Sequence, residues 1–165
     1  MAELTNLESK LGEVVGLAMA AQDATQKVMK LARDDDADEL VSTLERMQRE
    51  AKEAEERGTQ VAESFDGKKT AILEEAREVK RKATEMMKTY LDQAADALDG
   101  FEFLTMAEAG EVGHWSVLAK LNEQAGDERL RELVDWALPI QERHFEDVKA
   151  GSLKLAGEED PGSPA

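Results

Sequence analysis

The chain has 165 residues, with 37 Asp and Glu against 21 Lys and Arg, a formal net charge of −16 and no cysteine. Its length suits one domain with a sizeable core, and its charge argues against non-specific binding to nucleic acid or anionic lipid, whose phosphates attract basic surfaces. Disulfides and thiolate metal sites are excluded outright.

The N-terminal MAELTNLESK has no basic segment followed by an apolar stretch, and the longest small-and-apolar run, Val14 to Ala21, is too short to span a bilayer. The expectation is a cytoplasmic protein. From Leu4, apolar residues recur at Leu7, Leu11, Val14, Ala18, Ala21, Val28 and Ala32, in steps of three and four with Thr25 filling one slot. That spacing predicts an amphipathic helix ending near Arg33, where Asp34, Asp35 and Asp36 offer a break and caps for the next helix. Leu40, Leu44, Met47, Ala51, Ala54, Gly58, Val61 and Phe65 predict a second helix over about 37–65. After Asp66-Gly67, a third is predicted through Ile72, Ala76, Val79, Ala83, Met86, Tyr90, Ala94 and Leu98, stopping at Asp99-Gly100. A fourth follows over about 101–124 through Leu104, Ala107, Trp115, Leu118 and Leu121. Gly126-Asp127 breaks the chain, with Asp127 as N-cap for a fifth over about 128–155. One all-α domain over 1–156 is expected, with an acidic disordered tail at 157–165.

Short connections make sequential helices antiparallel. If the third helix crosses the length of the bundle, helices 1, 2, 4 and 5 run up, down, down, up, which is a ferritin-like arrangement with a helical crossover. A plain five-helix coiled assembly satisfies the same periodicity.

The polar residues on the apolar tracks carry the functional signal. The fourth helix's track passes through Glu111 and His114, and the fifth's through Gln141 and His144, the only two histidines being three residues after an oxygen-bearing side chain. Residues three apart share a helix face, so Glu-x-x-His can present a carboxylate and an imidazole to one ion. A hydrogen-bonded layer, Glu111 to His144 or Gln141 to His114, would satisfy the same groups without metal. Trp115 and Trp136 read as core fillers, while Glu53–Arg57 and Arg77–Lys82 read as solvated faces with pairs one turn apart. Pro139 removes a backbone bond within the fifth helix.

Two stretches, KLARDDDADELVSTLERMQREAKEAEER and EAGEVGHWSVLAKLNEQAGDERLRELVDWALPIQERHFEDV, carry a resemblance over about 17–156. The chain resembles the YciF-like stress-response family of the ferritin-like superfamily. The resemblance implies an antiparallel bundle, a homodimer, and a carboxylate/imidazole metal centre between the four main helices. Carried over, Glu108 and Glu111 match the acidic pair of the fourth helix, Gln141 falls where the family tends to have Glu, and His144 lies one turn further. Ala21 stands where helix 1 would offer Glu, and Met47 where helix 2 would offer His, with Glu50 and Glu53 the nearest acids. The expectation is therefore a reduced or vestigial site among Glu50, Glu108, Glu111, His114, Gln141 and His144, taking iron or manganese, and no complete di-iron oxidase. The competing expectation is a non-enzymatic helical scaffold that binds a protein partner.

Overall fold

The computed structural model describes residues 2–164. Five long helices, α1 (Asn6–Asp34), α2 (Val41–Glu63), α3 (Lys69–Tyr90), α4 (Ala97–Ala125) and α5 (Glu128–Ala156), account for most of the chain, and a 3₁₀ turn, Asp38–Leu40, leads into α2. The described residues contain no strand, and none of their helices is long and apolar enough to cross a membrane. At 29 residues each, α1, α4 and α5 extend roughly 44 Å.

Local chemistry sets the boundaries. Thr5 and Glu8 form a reciprocal capping box at the start of α1, the Glu8 amide donating to the Thr5 hydroxyl (3.2 Å) and the Thr5 amide to the Glu8 carboxylate (2.8 Å). Gly67 and Gly126 adopt left-handed φ of 68° and 70° in their turns, which Gly tolerates without Cβ strain. Asp127 caps α5 by accepting from the amides of Arg129 and Leu130. Two expected boundaries are corrected. The third helix stops at Tyr90, and Asp99-Gly100 lies in the first turn of α4. Asp99 is the reciprocal partner of the N-cap Asp96, and Gly100 sits where an added Cβ would come within 3.0 Å of Val28 on α1. A pair that resembles a turn signal thus serves a cap and a close helix approach. The Asp34–Asp36 cluster does not cap the second helix either: Asp35 accepts from the amide of Ala97 (2.6 Å) and so joins the end of α1 to the start of α4. Beyond α5, residues 157–164 form exposed turns, and residue 165, the last of the expected tail, lies outside the described residues.

Contacts between helices fix their directions. Arg33 pairs with Glu45 where α1 turns into α2, and Gly58 lies against Val15, so α2 descends along α1. Lys80 meets Asp23 and Lys68 meets Glu8, so α3 ascends parallel to α1. From the Asp35–Ala97 contact, α4 descends to place His114 beside Glu13. α5 ascends, its Gly151 against Phe101 of α4 and its Asp147 paired with Arg46 of α2. The four long helices α1, α2, α4 and α5 therefore run up, down, down, up, with α3 laid outside against α1.

Two apolar clusters fill the bundle. One gathers Val28, Met29, Leu44, Met47, Phe101, Leu104 and Val148, and the other gathers Leu11, Val14, Val15, Ile72, Trp115, Leu118, Leu130 and Leu133. Both clusters draw on α1, α4 and α5, and between them lie Ala18 and Ala21 of α1, Glu50 and Ala51 of α2, Glu108 and Glu111 of α4, and Gln141 and His144 of α5. Trp115 is core, as expected, whereas Trp136 is half-buried beneath the Arg57 guanidinium, 4.3 Å from its ring. The two charge-rich stretches are solvated, with Glu53–Arg57 and Glu78–Arg81–Glu85 pairs one turn apart.

The approach of α3 to α1 depends on glycine. A Cβ on Gly16 would overlap the carbonyl of Ala76, whereas one on Gly113, in the interior of α4, would meet nothing within 4 Å. Gly16→Ala should lower stability by about 1–3 kcal/mol through overpacking. Gly113→Ala should raise it by about 0.5–1 kcal/mol through helix propensity. Urea midpoints of the two variants check both signs.

Candidate functional site

Helical spacing brings the polar residues to one level. On α4, Glu108 and Glu111 are three residues apart, and on α5, Gln141 and His144 are three apart, so each helix presents two groups inward. All four are buried, at 1, 5, 7 and 3 % exposure respectively. Glu50 of α2 completes the level from its edge.

His144 is the hub. Its Nε2 lies 2.6 Å from Glu50 Oε2, and its Nδ1 lies 3.6 Å from Glu108 Oε2. The Gln141 amide donates to that same Glu108 oxygen, and Arg143 pairs with the other oxygen of Glu50. A chain of contacts thus runs Arg143, Glu50, His144, Glu108, Gln141 across α2, α5 and α4. Glu111 stands next to it and makes no hydrogen bond among the described residues. It lines a void of about 10 Å³ together with Glu50, Gln141 and His144, about enough for one water.

Burial raises the Glu111 carboxyl well above the usual carboxylate range, and the negative charge of Glu108 adds to the effect. Burial works against the charged form of His144, but the hydrogen bonds and charges of Glu108 and Glu50 together outweigh it and raise its pKa. Burial likewise opposes ionisation of Glu50, and His144 and Arg143 overcome it, leaving this carboxyl below its ordinary value.

Of the residues picked out from sequence, Glu50, Glu108, Glu111, Gln141 and His144 converge. His114 does not. Its side chain is 42 % exposed and sits on the flank of α4, with Nδ1 3.0 Å from Glu13 and 3.3 Å from Lys10. Its position on the apolar track is misleading because α4 is apolar over most of its circumference, so three-residue spacing does not select one inward face. Neither hydrogen-bond pair anticipated for a metal-free layer forms: Gln141 bonds Glu108, and His144 faces Glu50 and Glu108. The role of Arg143 as the outer partner of Glu50 was missed, because a lone Arg on a helix flank carries no spacing signal.

On α1 the layer meets Ala18 and Ala21. This wall offers no carboxylate, and Met47 of α2 is part of the apolar cluster above. A pair of ions would need donors from all four helices, so the arrangement fits at most one. Among the described residues, no three His, Asp or Glu side chains already surround an ion position. The donor types around the void, two carboxylates, an amide and an imidazole, nevertheless match one hard or borderline divalent cation. Glu108 stands behind His144 Nδ1 in the way an outer carboxylate orients a ligating imidazole. No known family, curated protein or solved structure matches the chain.

The raised groups make stability depend on pH. Native Glu111 holds a proton that the unfolded chain releases above about 4.3, so stability falls as pH rises from there towards its folded value. The His144 contribution is fully present below about 6.5 and is lost as pH rises through its elevated folded value. Glu50 acts in the opposite direction, contributing above about 4.3 and losing that contribution as pH falls through its lowered value. The urea midpoint should therefore peak in the mildly acid range and decline towards pH 8. Glu111→Gln should be more stable than wild type at pH 8 and show a flatter decline.

Proposed function

We propose that this chain is a ferritin-like helical bundle with a reduced carboxylate/imidazole centre that holds one divalent cation, iron or manganese, in a stress-related role. The up, down, down, up order of α1, α2, α4 and α5, with α3 as a helical crossover, supports the ferritin-like reading. The resemblance over 17–156 supports the link to the stress-response family; the homodimer it implies, and the cytoplasmic location expected from the N-terminal sequence, belong to the same proposal. One observation carries the metal reading: the buried Glu111 carboxyl has no partner and borders a small void shared with Glu50, Gln141 and His144.

A cation there would supply the counter-charge that Glu111 lacks, and the protein's part is to fix its ligands. Glu108 orients His144 and Gln141, and Arg143 steadies Glu50. Loading separates Glu50 from His144 and requires the imidazole in its neutral form, so affinity should rise with pH.

Metal-free protein titrated anaerobically with Mn(II), with free Mn(II) followed by electron paramagnetic resonance, should bind one ion per chain. Glu111→Gln and His144→Gln should each weaken binding at least tenfold, in line with the loss of a ligand. Absence of saturable binding, or binding unaffected by both substitutions, would overturn the metal reading. The contacts that already satisfy His144 and Gln141 would then favour the second reading, a scaffold whose polar layer fixes helix register.

A further inference from the structure

The layer also borders a larger space on its other side. α3 lies against α1 and stands off α4, leaving a cavity of about 290 Å³ between the three helices. Its walls are Ala20, Ala21 and Ala24 of α1, Ala83 of α3 and the Met side chains Met86, Met87 and Met106, and its floor is formed by Glu108 and Glu111. Met86 and Met106 are 51 and 42 % exposed, so the opening is apolar. Short alanines create the space, and flexible, polarisable thioethers can adapt to an occupant. The volume is at the small end of ligand sites, which are typically about 300–1,000 Å³.

We propose that this cavity is a binding site for a compact apolar amine, an alkyl or aryl chain ending in an ammonium group that meets Glu111. The apolar walls accept the chain. Glu111, nine-tenths buried and without a hydrogen-bond partner, is a wall residue of the same cavity. An ammonium brings the donors and the positive charge that this carboxyl lacks. An anionic head would face Glu108 and Glu111 together, and a neutral alcohol would offer a hydrogen bond but no charge. One oxygen of Glu108, Oε2, is already engaged by Gln141 and His144, whereas neither oxygen of Glu111 has a partner, so Glu111 is the less committed of the two carboxyls. Of the other polar side chains at the cavity wall, His114 meets Glu13 and Lys10 at Nδ1, and the Thr84 hydroxyl donates to the Lys80 carbonyl. The amine site does not depend on the ion reading, although the two share Glu111 and should compete for it.

The test uses metal-free, full-length protein labelled with ¹³C at its methionine methyls and titrated at pH 7 with hexylamine, 1-hexanol or hexanoate. Hexylamine should shift the Met86, Met87 and Met106 signals saturably and bind at least tenfold more tightly than hexanol, with no saturable shift from hexanoate. Glu111→Gln should abolish the advantage of the amine while hexanol still binds. Ala83→Leu, which fills the cavity from α3 without touching the layer, should remove amine binding and leave Mn(II) binding intact. Hexanol binding as tightly as hexylamine, or no saturable shift in protein with a native methyl spectrum, would overturn the proposal. Amine binding with no Mn(II) binding would support the amine site and sink the ion reading alone.

Discussion

His144 is gripped from both sides by carboxylates, Glu50 at 2.6 Å and Glu108 at 3.6 Å, at mid-height of a bundle whose interior is mostly apolar. Much of the fold's organisation follows from this contact. It ties α2, α4 and α5 at one level, and it falls where the core divides into two apolar clusters. Each buried charge here costs several kcal/mol in lost hydration, so the layer is tolerable only with its partners in place. Glu108 gains Gln141 as well as His144, and Glu50 gains Arg143 at the edge. Sliding one of these helices by a turn would break several of those contacts at once, which gives the layer a role in register whether or not an ion enters it.

Glu111 is the member that this pairing leaves over. Its neighbour Glu108 is another acid and adds repulsion, its helix offers no cation within a turn on the inward face, and burial pushes it towards its neutral form. It lies between two spaces of different character, a water-sized void where Glu50, Gln141 and His144 meet a largely apolar wall, and a larger alanine- and methionine-walled cavity that opens to solvent. A small cation suits the first and an apolar ammonium suits the second. Both readings come from the same deficit, a buried acid lacking a positive partner. The −16 net charge adds a long-range bias towards cations over anions of any kind.

Much of this was legible in the sequence, and the failures have physical causes. Apolar steps of three and four found all five helices, because burial of one face dominates a helix's pattern. Inward placement of Glu111, Gln141 and His144 followed from the same steps. Asp99-Gly100 misled because its residues also suit a cap and a close approach to Val28. His114 misled because α4, packed between α1 and α5, is apolar over most of its surface, and the spacing no longer marks a single inward direction. The pairing within the layer was not legible at all. It depends on how α2, α4 and α5 rotate against one another, so His144 faces Glu108 rather than Glu111, and Gln141 bonds Glu108 rather than His114.

The state of Glu111 is the most direct test of this account. Carboxyl-carbon NMR of ¹³C-labelled glutamate in metal-free protein, with the Glu111 signal assigned by comparison with Glu111→Gln, follows its titration directly. The account predicts that Glu111 stays protonated well above the pH at which the exposed glutamates have ionised. Titration of Glu111 alongside those surface groups would contradict it, since water reaching that carboxyl from the adjoining spaces would then hydrate it as fully as a surface group.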